Sequence, residues 1–199
     1  MLGTQDLDAT AQRAGSEADR EEITLLAHVR AGELRAFDTL YRLYFPRLAR
    51  FIERMTRRPA LVEELINDTM MVVWRRADSY NGESKVSTWI FGIAYRKALK
   101  ALSKVDDPVD DSDVVEVEED APGPEATLTQ AQLRATLMQA MSKLSADHRA
   151  VIDLAYFNEF GCREIADIMA CPVDTVKTRM FHARRRLKTV LGGTAEDWI

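Results

Sequence analysis

A chain of 199 residues with 46% hydrophobic and 30% charged side chains can bury one ordinary core or two small ones, and no run approaches the roughly 18 apolar residues of a membrane-spanning helix. Its two cysteines, Cys162 and Cys171, lack the paired Cys and His spacing of a zinc site and read as reduced core or turn residues, so no metal or cofactor is expected. The net charge of -5 is unevenly spread: residues 23–104 hold 15 Lys and Arg against 8 Asp and Glu, residues 128–191 hold 10 against 6, and residues 105–127 hold 10 acids and no base, which puts two basic units around an acidic stretch.

In chain order, residues 1–22 are polar and lack the basic-then-apolar layout of a signal peptide; the expectation is a flexible N-terminal tail on a cytoplasmic protein with no membrane insertion. Phe37, Leu40, Tyr41 and Tyr44 then recur at helical spacing, and Leu48, Phe51, Ile52 and Met55 extend the stripe past Pro46, which marks a kink or boundary. A second helix over 61–76 carries Leu65, Thr69, Val72 and Val73 on one face and Glu63, Glu64, Asn67 and Asp68 as a polar ridge, ending at the turn 78–82.

A third helix is expected to start near Ser87 or Thr88, either able to cap it, and to run to about Lys104. Arg96, Lys97, Lys100 and Lys104 form its cationic flank, and Tyr80, Trp89, Phe91 and Tyr95 interleave aromatic rings with that strip. Backbone-tracking cations plus stacking surfaces are what a single nucleic-acid strand uses, although each ring by itself fits an ordinary core equally well.

Residues 105–127 combine like charges and three prolines with no aromatic residue, which makes them a flexible acidic linker. Beyond it an amphipathic helix is expected over 128–144, with Leu133, Leu137 and Met141 in register. Another opens at Ser145 and carries Val151, Ile152, Leu154, Ala155 and Phe157. Residues 163–188 then read as a helix-turn-helix, the most informative stretch of the chain. Ala166 permits close helix contact, Pro172 blocks continuation across the turn, and Asp174 or Thr175 can cap the second helix. Val176, Met180, Ala183 and Leu187 form its buried stripe, leaving Asp174, Thr178, Phe181, His182 and Arg185 outward for a major groove. Lys177, Arg179 and Arg184 sit on the flanks where phosphates pass. Residues 192–199 form a short tail. With no strand pattern, the fold class is all-α, with two small helical domains joined by the linker.

Laid end to end, the ordered stretches resemble the extracytoplasmic-function group of bacterial RNA polymerase sigma factors. The resemblance rests on residues 36–44, on 62–69 with Val73-Trp74, on 87–94, and on the helix-turn-helix, in that order around the acidic linker. It implies a sigma-2 domain at 23–104 and a sigma-4 domain at 128–191. By the same resemblance, Glu63, Glu64, Asn67, Asp68, Met71, Trp74 and Arg75 dock on core RNA polymerase. Tyr80, Asn81, Gly82, Ser84, Lys85, Ser87, Trp89, Arg96, Lys97 and Lys100 would hold the melted -10 element of promoter DNA. Arg163, Asp174, Thr175, Lys177, Thr178, Arg179, Phe181, His182, Arg184 and Arg185 would read the -35 element as duplex.

In this family an anti-sigma factor usually silences the protein. The run from Trp89 to Leu102 looks most like the subset paired with a zinc-binding anti-sigma factor in a singlet-oxygen response. Asn67-Asp68 replaces the family's usual Gln-Glu, Arg96 stands where Asn is usual, and Asp174 and Ala170 occupy positions that are commonly Gly. The competing reading is an autonomous helix-turn-helix repressor or activator, which the basic aromatic helix argues against. An enzyme is not expected: Glu63 and Glu64 point about 100 degrees apart on a helix, and the three histidines fall in different helices with no phosphate-binding glycine loop.

Overall fold

The computed structural model describes residues 4–104 and 139–191, with side chains from 17–104 and 139–189. The expected acidic linker, most of the helix expected over 128–144, and the C-terminal tail lie outside the described residues.

Seven α-helices and a short 3-10 turn make up the described chain: α1 (Thr4–Arg30), α2 (Leu34–Thr56), α3 (Pro59–Arg75), the turn Ala77–Ser79, α4 (Val86–Ser103), α5 (Ala146–Tyr156), α6 (Cys162–Met169) and α7 (Val173–Leu191). Residues 139–142 are also helical, and no strand occurs among the described residues. None of these helices is long and apolar enough to cross a membrane.

Helix α2 is the hub, touching α1, α3, α4 and α5. Leu40, Tyr44, Leu48, Phe51, Ile52 and Met55 are all fully covered, so the stripe read from the sequence is continuous from one end to the other. Pro46 neither breaks nor bounds this helix. It lies on the exposed side, where the carbonyl four residues back can turn to water in place of the missing N–H.

The N-terminal stretch also departs from expectation. From Thr4 onward the expected tail is part of α1, and Glu22, Leu26 and Val29 fall on one buried stripe against α2. A carboxylate at the first of those positions hid the periodicity. Tyr44 donates its hydroxyl to Glu22 Oε2 at 2.7 Å, and that bond gives the buried acid a partner. Burial raises the Glu22 pKa, and the tyrosine bond and Arg47 only partly offset it.

The core does not divide at the linker. Buried side chains of α2 and α4 and those of α5, α6 and α7 form one continuous cluster. At Gly92 the two halves approach closely, for a Cβ there would stand 3.7 Å from the Ile168 Cα. The Phe91 and Phe160 rings meet edge to face with centroids 5.1 Å apart. Arg149, only 8% exposed, donates Nη2 and Nε to the Met55 carbonyl at 2.8 and 3.1 Å, satisfying the end of α2 from the far half of the chain.

Candidate polymerase and nucleic-acid interfaces

The polar ridge on α3 is outward, as its sequence suggested. Glu63, Glu64, Asn67, Asp68, Met71 and Arg75 are exposed and Trp74 is half-buried. Helical spacing aligns them, while Leu65, Ile66, Thr69, Met70 and Val73 turn inward. Two partners fix the ridge: Tyr41 donates its hydroxyl to Asn67 Oδ1 at 2.8 Å, and Lys97 Nζ stands 2.8 Å from Asp68 Oδ2. Beside it runs a ladder of rings, in which Phe37 and Tyr41 of the stripe read from the sequence meet Trp74 of the ridge and Phe45, a ring outside that stripe. Phe37 meets Trp74 edge-on at 5.1 Å, and Tyr41 stacks on Phe45 at 5.8 Å. Phe45 and Met71 remain substantially exposed, so this face joins apolar and polar groups.

The second set surrounds the loop before α4. Gly82 adopts a φ of +77, which a side chain would disfavour, and the Asn81 Oδ1 accepts from the Glu83 N–H at 3.1 Å to close the turn. Tyr80 packs its ring on Trp89 at 5.7 Å and donates its hydroxyl to the Ser84 carbonyl, holding the loop against the helix. Helix α4 begins at Val86, one turn-residue ahead of the expected cap, and neither Ser87 nor Thr88 caps it. Both are buried instead, and Thr88 Oγ1 has no hydrogen-bond partner. Arg96 and Lys100 are exposed, and Lys97 is half-buried by its pairing with Asp68. Thus Asp68 and Lys97, from two different expected sites, share one ion pair.

Lys85 is exposed but faces an acid on each of two sides. Its Nζ lies 3.2 Å from Glu164 Oε1 on α6 and 3.9 Å from Asp19 Oδ2 on α1. Burial pulls the lysine's pKa down, but the Glu164 bond and the surrounding carboxylates outweigh it and raise the pKa. Neither acid was legible as a neighbour of this loop.

The third set is on α6 and α7. Ala170 ends α6 in the left-handed conformation, with φ 51, and Pro172 separates it from α7. Helix α7 starts at Val173, one residue before the expected Asp174 or Thr175 cap. Val176, Met180 and Ala183 are buried and Leu187 partly so, matching the stripe. Arg163, Asp174, Lys177, Thr178, Phe181, Arg184 and Arg185 are exposed, and Thr175 and His182 are half-buried. Lys177 Nζ pairs with Asp174 at 3.2 Å, and Thr178 donates back to the Asp174 carbonyl at 2.9 Å. The Arg184 guanidinium lies 5.7 Å from the Tyr156 ring centroid. Arg179 is turned inward rather than along the flank: its Nη2 stands 2.5 Å from Asp147 Oδ2.

Residues 40–106 match the model for Sigma-70 region 2, and residues 134–187 match that for Sigma-70, region 4. The chain belongs to the sigma-70 family. Its relatives place this sigma factor in the extracytoplasmic-function group. It is 27% identical over 177 residues to the RNA polymerase sigma-H factor of Pseudomonas aeruginosa, covering 84% of this chain and 92% of that one. It is 29% identical over 173 residues to the ECF RNA polymerase sigma-E factor of Escherichia coli, covering 82% and 90%. Among solved structures it resembles the sigma factor RpoE crystallised with the anti-sigma factor NepR from Bartonella quintana, with TM-score 0.61 and 29% identity over 80% of this chain and 98% of that one. The fold is shared with CnrH, solved in complex with the cytosolic domain of CnrY, with TM-score 0.64 and 21% identity over 86% and 97%. The function is therefore that of an alternative sigma factor, a family that is in general not enzymatic.

Proposed function

We propose that the sigma factor docks on core RNA polymerase through the α3 ridge, reads the -35 element as duplex with α7, and holds the melted -10 strand with the loop 80–85 and α4. The observation that carries this reading is the exposure of the α3 ridge in a chain that matches both sigma-70 regions in order. Its charge distribution supports the division: exposed Lys177, Arg184 and Arg185 present cations along a helix of groove-fitting size, whereas Trp89, Arg96 and Lys100 present a ring beside cations, as a single strand requires. Residues 23–104 and 128–191 would act as the sigma-2 and sigma-4 domains.

Control by an anti-sigma factor is supported by the Bartonella quintana neighbour, which was crystallised with one. The run from Trp89 to Leu102 favours a zinc-containing inhibitor, and metal analysis of the inhibitor purified with this chain tests that point.

Size-exclusion chromatography with bacterial core RNA polymerase is the test of the main reading. The wild-type chain is expected to co-elute, and the Asn67→Ala, Asp68→Ala double variant to do so more weakly while keeping its helical circular dichroism. A well-folded wild-type chain that never co-elutes would point to the autonomous DNA-binding regulator.

A further inference from the structure

Two short polar side chains stand next to each other on the outer face of α3, and each is tied to a different neighbouring helix. Asn67 and Asp68 point about 100 degrees apart on the helix, and α3 packs against both α2 and α4. Tyr41 of α2 donates its hydroxyl to Asn67 Oδ1 at 2.8 Å, and Lys97 of α4 brings its Nζ to 2.8 Å from Asp68 Oδ2. The tyrosine is itself seated between rings, with Phe45 at 5.8 Å and Phe37 at 6.3 Å. Both members of the pair are therefore held from the flanks.

These contacts set polarity as well as position. With a donor on Asn67 Oδ1, the amide turns its Nδ2 outward and presents N–H groups to a partner. Burial and the nearby Glu63 carboxylate raise the Tyr41 pKa, which keeps the hydroxyl a donor. Asp68 retains its second oxygen, and a carboxylate only accepts.

Lys97 differs from the cations beside it. Its side chain is 32% exposed against 54% for Asp68, so the acid faces outward and the lysine lies behind it. Arg96 and Lys100, on the same helix, are exposed. If Lys97 left for a phosphate, Asp68 would lose the cation that holds it.

We propose that Tyr41 and Lys97 are positioning residues of the docking surface, holding Asn67 as a donor and Asp68 as an acceptor for a partner face that sets a cation beside a hydrogen-bond acceptor. The proposal rests on the assignment of the α3 ridge to core polymerase, and it moves Lys97 from the strand-holding set to the docking set. A side chain already held in its bound rotamer loses little freedom when the complex forms, which is how residues without direct contact strengthen it.

The experiment uses the dye-labelled full chain, titrated with bacterial core RNA polymerase, and separately the unlabelled chain with a dye-labelled 20-nucleotide single strand at low salt. Tyr41→Phe and Lys97→Met are each expected to weaken core binding about three- to fivefold, while Lys97→Arg, which keeps the pair, should retain most of it. Tyr41→Phe should cost little more once Asn67 is replaced by Ala, and Lys97→Met little more once Asp68 is replaced by Ala, because each acts through its own partner. The crossed combinations should come much closer to adding. A merely structural role would weaken core binding equally in every background. For the strand, Lys100→Met should lose more affinity than Lys97→Met. Circular dichroism checks that each variant is folded, and Lys97→Arg against Lys97→Met still decides the lysine's role if Tyr41→Phe is unstable. Full additivity in both matched pairs, or a Lys97→Met variant that keeps its core affinity and loses more strand affinity than Lys100→Met, would overturn the proposal. A wild-type chain that does not bind core polymerase sinks the docking assignment itself, whereas a chain that binds it without coupling in either matched pair sinks only the positioning roles.

Discussion

Arg54, near the end of α2, reaches across the seam to Asp153 in α5, its Nη1 2.5 Å from Oδ2, and the aspartate side chain is almost wholly covered. Asn158 donates to the other oxygen at 2.8 Å, and the Arg54 guanidinium lies 4.0 Å from the Phe157 ring centroid. Burial raises the Asp153 pKa, while Arg54 and Asn158 lower it in part. A buried pair of this kind contributes modestly as a pair, because desolvation offsets attraction, yet removal of one partner strands the other.

Asp153→Ala should therefore destabilise the chain by about 3 kcal/mol in urea unfolding at neutral pH. The Arg54→Met, Asp153→Leu double variant should lose much less, since no charge is left buried. Equal losses in the two would mean that packing rather than the stranded guanidinium sets the cost.

Glu22→Gln should raise the melting temperature at pH 7. The Glu22 pKa is raised in the folded state, chiefly by burial, so the folded chain favours the protonated acid. Its favourable contribution is complete below the ordinary glutamate pKa of about 4.5 and is lost as pH rises through the folded value. Glutamine keeps an acceptor for Tyr44 without the charge. The gain should shrink to nothing as pH falls below about 4.5, and a pH-independent difference would contradict a cause in ionisation.

Ala170→Gly should stabilise slightly. Left-handed backbone costs an alanine about 1–2 kcal/mol, whereas the added freedom of glycine in the unfolded chain returns about 0.4–1 kcal/mol. The net gain should be about 0.5 kcal/mol by chemical denaturation. Loss of stability would show that the methyl group makes a contact worth more than the strain.

The helical periodicities of α2, α3 and α7 were legible because apolar residues outnumbered exceptions on each buried face. Leu40 through Met55 and Val176 through Ala183 needed no tertiary information. Glu22 shows where that reading stops: its partner Tyr44 is 22 positions away, so a polar residue on a core stripe looked like solvent exposure. Arg179 shows the same limit at the candidate site. Its place on the helical wheel was right for a phosphate, but Asp147 lies 32 positions earlier and its approach depends on how the two halves pack. Capping was misjudged at α4 and α7 because each helix starts ahead of the Ser, Thr and Asp residues able to cap it, at Val86 after Lys85 and at Val173 after Pro172, and nothing in the side chains of Lys85 or Pro172 signals a cap.

The division between base reading and phosphate contact on α7 gives a last test, made on the full chain bound to core polymerase. Lys177 pairs with Asp174 at 3.2 Å and lies toward the start of the helix, where it can exchange that carboxylate for a phosphate. Such an exchange carries no sequence information. Lys177→Ala should weaken binding to matched and scrambled -35 duplexes alike and lower the salt slope by about 0.9. Arg185 stands on the outward face two turns further on, where a fork of donors can meet a base edge. Arg185→Ala should cost about 1–3 kcal/mol on the matched duplex and little on the scrambled one. If Arg185→Ala weakens both equally, that side chain is a phosphate contact, and sequence discrimination falls to Thr178 and His182 on the same helix.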